Sequence, residues 1–107
     1  MDKILKKYIP MTETAFYILL SLTEPSHGYG IIKRVEELTN GRLKLGSGTI
    51  YGTLTKMQND GMIIVFSDEK RKTIYEITKL GKNVMQAEIE RLKELHKNAL
   101  SLEEEFR

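Results

Sequence analysis

Ser47-Gly48-Thr49-Ile50-Tyr51-Gly52-Thr53-Leu54-Thr55-Lys56-Met57-Gln58-Asn59-Asp60-Gly61 carries two patterns in one helix-length stretch. Ile50, Leu54 and Met57 recur at i, i+4 and i+7, the spacing of one buried helix face. At about 100° per residue, Gly48, Gly52, Thr55 and Asn59 fall on the opposite side, flanked by Thr49, Tyr51 and Lys56. That outer face holds no acid. Its hydroxyl, amide and ammonium groups are the types that bond phosphate oxygens and base edges. Ser47 stands where an N-cap belongs, and Gly61 where a helix stops. The stretch predicts a helix shaped to enter a DNA groove.

Length and composition set the frame for that helix. A chain of 107 residues, 40% hydrophobic and 30% charged, has the composition of one globular domain. Its core is small enough that association with a second copy is expected. The absence of cysteine excludes disulfides and thiolate metal sites and fits a reducing cytoplasm. No apolar run reaches the roughly 18 residues of a membrane span, and Met1-Asp2-Lys3-Ile4 lacks a signal-peptide core. The expected location is therefore cytoplasmic, away from membranes. Residues 1–72 hold 11 basic against 8 acidic side chains, and residues 73–107 hold 6 against 7. The basic excess lies around the two-faced helix and the segment after it, as a nucleic-acid footprint would.

On either side of this helix the elements read as a mainly helical fold with a small β-hairpin. Residues 2–9 form a short amphipathic stretch ended by Pro10, and Thr12 to Leu22 a densely apolar helix. Pro25-Ser26-His27-Gly28 reads as a turn. Ile31, Ile32, Val35 and Leu38 mark the next helix, which ends at Asn40-Gly41. After Gly61, Met62-Ile63-Ile64-Val65-Phe66 and Thr73-Ile74-Tyr75-Glu76-Ile77 read as two strands around the charged tip Ser67 to Lys72. Three helices and a hairpin in this order predict a winged helix-turn-helix. From Thr78 a long helix runs towards Phe106. Its apolar positions Met85, Ile89, Leu92, Leu95, Ala99, Leu102 and Phe106 make a stripe too long for one small domain, and so a homodimer interface. The expected division is a DNA-binding unit at 1–77 and a dimerisation helix at 78–107.

His27-Gly28-Tyr29-Gly30-Ile31, Gly48-Thr49-Ile50-Tyr51-Gly52-Thr53-Leu54, Met57-Gln58-Asn59-Asp60-Gly61-Met62-Ile63 and the run Arg71 to Gly81 resemble the PadR-type transcriptional regulators, over about residues 11–100. The resemblance implies a homodimeric repressor on a palindromic operator in double-stranded DNA. The two-faced helix would sit in the major groove and the wing beside the backbone, with an aromatic or apolar effector near the dimer interface in several members. Three positions depart from the pattern. Gln58 stands where the family usually has Glu, Ile74 replaces a wing aromatic, and no tryptophan is present for ligand stacking.

The candidate DNA-contacting residues are Ser47, Thr49, Tyr51, Gly52, Thr55 and Lys56, with Lys70, Arg71 and Lys72 at the wing tip. Phe16, Ile18, Leu19, Met85, Ile89 and Leu92 are the candidate lining of an effector crevice. No cofactor or metal is expected: His27 and His96 have no partners at ligand spacing. Neither G-x-S-x-G, P-loop nor H-E-x-x-H occurs, and the glutamates read as solvated helix faces. An enzyme is not expected. Two other classes stay open, a winged-helix protein–protein module and a dimeric small-ligand binder that never touches DNA.

Overall fold

The computed structural model describes residues 2–69 and 71–107. The elements in chain order are α1 (Asp2–Tyr8), α2 (Glu13–Leu20), β1 (Ser26–His27), α3 (Gly28–Leu38), α4 (Ser47–Asn59), β2 (Ile63–Glu69), β3 (Lys72–Ile77) and α5 (Lys79–Ser101). A 3-10 turn follows α2 at Ser21–Thr23, and a second follows α5 at Glu103–Phe106. The strands form one antiparallel sheet in the order β1-β3-β2. The architecture is the expected mainly helical winged helix-turn-helix with a long last helix.

The core forms where the apolar periodicities converge. Ile18 and Leu19 of α2, Ile31 and Val35 of α3, and Ile50, Leu54 and Met57 of α4 are all buried. Met62 and Ile63 close the core from the sheet side, and Val84 and Met85 from α5. The end of α4 is built for an abrupt change of direction. Met62 N–H donates to the Met57 carbonyl at 2.9 Å and Gly61 N–H to that of Gln58 at 3.0 Å, with Gly61 at φ +79°. This closure satisfies two end carbonyls and needs a left-handed residue between them. Three residues separate the end of α4 from the start of β2.

Several expectations change at the boundaries. The Ser26-His27 turn is a short third strand, paired with Tyr75 and Ile74 of β3. Ser47 is the first residue of α4, and Gly46 is its N-cap. Both hairpin strands run further into the charged segment, to Glu69 and from Lys72, with a register shift between Val65 and Ser67. An extra residue there bulges β2. The last helix stops at Ser101, because Leu102 leaves helical geometry and Phe106 sits in a 3-10 turn. Met85, expected on the dimer stripe, is buried within its own protomer.

Two polar knots, one buried and one at the surface, hold α1 and α5 in place. Glu88 is 1% exposed. Its carboxylate accepts from Arg91 Nε at 2.6 Å, Arg91 Nη2 at 2.9 Å and the Met11 backbone N–H at 3.0 Å. The expectation that all glutamates are solvated therefore fails here: Glu88 joins α5 to the link between α1 and α2. At the other knot Asp60 accepts from the Tyr8 hydroxyl at 2.6 Å and Lys7 Nζ at 2.9 Å. A helix of seven residues has no independent stability, so these bonds and the burial of Tyr8 fix α1 against the end of α4.

At the root of the wing, Thr78 caps α5 by accepting from Gly81 N–H at 3.1 Å. Its own N–H reaches the Met62 carbonyl at 3.0 Å and its hydroxyl the Gly61 carbonyl at 2.7 Å. Gly81 lies so near that a methyl would run into the Met62 carbonyl oxygen and come within 2.7 Å of Ile77 Cγ1. Gly81→Ala should therefore cost about 1–3 kcal/mol, as overpacking does, in denaturant unfolding; an unchanged midpoint would contradict the contact.

Acid titration checks the knots. The Arg91 guanidinium first, then the Met11 N–H, hold the Glu88 carboxyl below the usual carboxylate range against the effect of burial. The Tyr8 hydroxyl and then Lys7 do the same for Asp60. A carboxyl lowered by folding contributes stability above its unfolded pKa, about 4, and loses it as pH falls through the folded value. Glu88→Gln should lower the melting temperature at neutral pH and flatten its fall below pH 4, whereas parallel acid limbs for variant and parent would contradict the assignment.

Candidate nucleic-acid interface

With Ile50, Leu54 and Met57 turned inward, α4 presents Ser47, Gly48, Thr49, Tyr51, Gly52, Thr55 and Lys56 to solvent. A methyl at Gly48 or Gly52 would meet nothing within 4 Å. Neither glycine is there for internal packing, and each costs helix stability of about 1 kcal/mol against alanine. A surface that must come close to another backbone accounts for both.

Tyr51 is 49% exposed, and its hydroxyl would lie 2.6 Å from a Cβ placed on Gly28. The ring thus crosses the first residue of α3, and glycine there permits the close approach. Tyr51 also neighbours Tyr75 of β3, whose phenol is pushed up first by burial, then by Tyr51 and Asp68. One half-exposed ring sits between the start of α3 and the wing, its hydroxyl at the edge of the open face of α4.

The charges sort differently from the sequence count. Arg42 pairs with Glu13, and Lys44 lies 3.9 Å from Glu36. Among the described basic side chains from Arg42 to Lys72, those with no ion-pair partner are Lys56, Arg71 and Lys72. Lys56 Nζ stands 5.6 Å from the centroid of the Tyr8 ring, within cation–π range. Arg71 occupies the wing turn with φ 72°, and Lys72 opens β3 opposite Glu69. Lys70, also a candidate, lies outside the described residues.

Two contributors were missed by sequence reasoning. Asp60 ends α4 as an acid, yet its charge is taken up by Lys7 and Tyr8, which keeps unpaired negative charge off the helix. Tyr29 is exposed at the start of α3, with Lys33 Nζ 5.8 Å from its ring centroid. An aromatic outside the core periodicity was the available signal for Tyr29. Nothing local marks Asp60, whose partners lie more than fifty residues away.

Within one protomer the six residues expected around an effector crevice do not border a single opening. Ile18 is fully buried and lines no opening. Leu19, Met85 and Ile89 border a groove of about 300 Å³ on one side of α5. Phe16 and Leu92 border a separate recess of about 290 Å³ with Met11, Tyr17, Glu88 and Arg91. The body of α5 and the side chains packed beneath it divide them. Among the described residues no group of His, Cys, Asp and Glu is placed to hold a metal ion, and no helix is long and apolar enough to cross a membrane.

A hairpin wing beside an exposed, acid-free second helix of a helix-turn-helix pair defines the winged helix class of DNA-binding proteins. The family described as "Transcriptional regulator PadR-like family" matches residues 18–87, and the chain belongs to it. The family is one of transcriptional regulators. The chain is 36% identical over 58 residues to "Transcriptional regulator YqjI" of Escherichia coli K12, a match covering 54% of this chain and 28% of that protein. The chain thus spans under a third of that relative's length. A PadR family regulator from Clostridium difficile R20291 superposes with a TM-score of 0.74 at 24% identity, covering 85% of this chain and 98% of that one. A PadR-like transcription factor from Bacteroides fragilis gives 0.67 at 25% identity, over 83% and 87%.

Gly48→Ala and Gly52→Ala test the open face directly. Each should stabilise the free protein by up to about 1 kcal/mol and at the same time weaken DNA binding. Higher melting temperature with undiminished DNA affinity would remove this face from the contact.

Proposed function

We propose that the chain acts as a homodimeric repressor, with residues 1–77 reading DNA and residues 78–107 joining the subunits. The α4 helix of each subunit enters the major groove of one half of a palindromic operator, and the wing rests on the adjacent backbone. The observation that carries this reading is the bare outer face of α4, with Gly48 and Gly52 open, no free acid, and Lys56 at its edge. Thr49 and Thr55 are the residues set to meet base edges; Ser47 lies in the first turn, where backbone N–H groups favour phosphate. Tyr51, Lys56, Arg71 and Lys72 serve the phosphates, which position the protein without selecting sequence.

Dimerisation is supported by the stretch of α5 beyond the body. Leu95 is 51% and Leu102 58% exposed, and Phe106 in the closing turn is 87% exposed. A continuous apolar stripe in water is a cost that a second copy removes. An apolar or aromatic effector would enter this scheme through the recess beside Phe16, Tyr17 and Leu92. Occupation of DNA by the dimer would block transcription by exclusion.

Salt dependence of binding tests the wing. Neutralising one phosphate contact lowers the slope of log K against log salt by about 0.9. Arg71→Ala with Lys72→Ala removes two contacts per subunit, so the slope for a dimer should fall by about 3–4. An unchanged slope would show the wing tip to be solvated and would overturn its role.

A further inference from the structure

Lys56 and Asp60 stand four residues apart at the end of α4, and the Asp60 N–H still donates to the Lys56 carbonyl at 3.0 Å. On a helix that spacing makes two side chains neighbours, and opposite charges so placed attract. Of the residues three or four positions from Lys56, Asp60 is the acid; the others are Gly52, Thr53 and Asn59. The local expectation is that α4 spends its one cation on its own closing acid.

The structure pairs them differently. Asp60 is filled from α1, by the Lys7 ammonium at 2.9 Å and the Tyr8 hydroxyl at 2.6 Å. Its carboxyl is held below the usual carboxylate range first by Tyr8 and then by Lys7, with Lys56 the last of the groups that lower it. Lys56 lies instead over the Tyr8 ring, its Nζ 5.6 Å from the centroid. A ring face attracts a cation without accepting the hydrogen bonds a carboxylate would take, so the ammonium keeps its donors. Tyr8 can hold it because the ring is itself fixed, only 6% exposed. Lys56 is exposed and borders a recess of about 170 Å³ with Lys7, Tyr8, Thr12 and Thr53. The described residues lining that recess include no acid, so an anion approaching Lys56 meets no like charge.

We propose that α1 is a charge clamp for the DNA-facing helix: Lys7 and Tyr8 occupy Asp60 and so keep the Lys56 ammonium available to a backbone phosphate. This rests on the DNA-binding reading above. Lys7 and Tyr8 are positioning residues, acting through Asp60 and Lys56 rather than on DNA. Without them Asp60 captures Lys56, and α4 loses the one cation it offers.

Binding of the full chain to mixed-sequence duplex DNA, titrated with salt, tests the clamp, because phosphate contacts appear as the slope of log K against log salt. Lys7→Met with Tyr8→Phe removes both donors to Asp60 while keeping the ring. The slope should fall by about 0.9 per subunit, the value of one phosphate contact, and Lys56→Ala should lower it equally. On the Lys56→Ala background the two α1 substitutions should change nothing further. Adding Asp60→Asn to the α1 variant should restore the parental slope, whereas Asp60→Asn in the parent should leave it unchanged. An equal fall with Lys56 already removed would make the effect of α1 direct or merely structural and overturn the clamp. Failure of Asp60→Asn to restore the slope would overturn it as well. A Lys56→Ala slope equal to the parent's would take Lys56 out of the contact and overturn the inference while leaving the DNA-binding reading intact. Absence of any binding by the parent would overturn both.

Discussion

At the Met62 carbonyl three parts of the molecule meet: the end of α4, the start of the wing and the first turn of α5. The carbonyl accepts the Thr78 N–H, the Thr78 hydroxyl holds the Gly61 carbonyl, and Gly81 lies too close for any side chain. Close-packed junctions of this kind transmit displacement because no void can absorb it. The wing cannot tilt relative to α4 without moving α5. A protein whose proposed task is to hold two α4 helices at a fixed separation needs that stiffness.

Asp60 and Glu88 extend the same principle to α1. Each acid has a charged partner and a second donor, and hydrogen bonds to charged groups contribute roughly 1.5–3 kcal/mol each. Their geometric effect matters as much as their energy. Asp60 draws Lys7 and Tyr8 to the end of α4, and the Tyr8 ring comes to rest beside Lys56. Glu88 fixes Met11 against α5 beside the recess of Phe16 and Leu92. The N-terminal helix is thereby tied both to the surface proposed to face DNA and to the foot of the helix proposed to face a second copy.

Much of this was legible because it rests on local periodicity. Ile50, Leu54 and Met57 could be placed from spacing alone, and Gly61 and Asn40-Gly41 from the need for left-handed residues at helix ends. What escaped depends on distant partners. Ser26 and His27 become a strand because β3 offers a free edge, a fact no two-residue window contains. Glu88 with Arg91 three residues on looks like any surface helix pair, and the Met11 N–H that completes its burial lies 77 residues away. The residues expected around an effector crevice share apolar chemistry, but helical phase buries Ile18 and sets Leu19 and Phe16 at two different recesses of the protomer. Periodicity and turn residues supplied the order of elements, with which the likeness to PadR regulators agrees; neither determines each side chain's partner.

The central claim is that two copies of α4, held by one dimer, read two halves of a DNA site. Selection of duplexes from a random pool by the purified protein addresses it most directly. The account predicts enrichment of a two-fold symmetric sequence with half-sites centred about 34–36 Å apart, one turn of the double helix or a multiple of it. Recovery of no common sequence, or of a lone half-site bound by a single subunit, would contradict it.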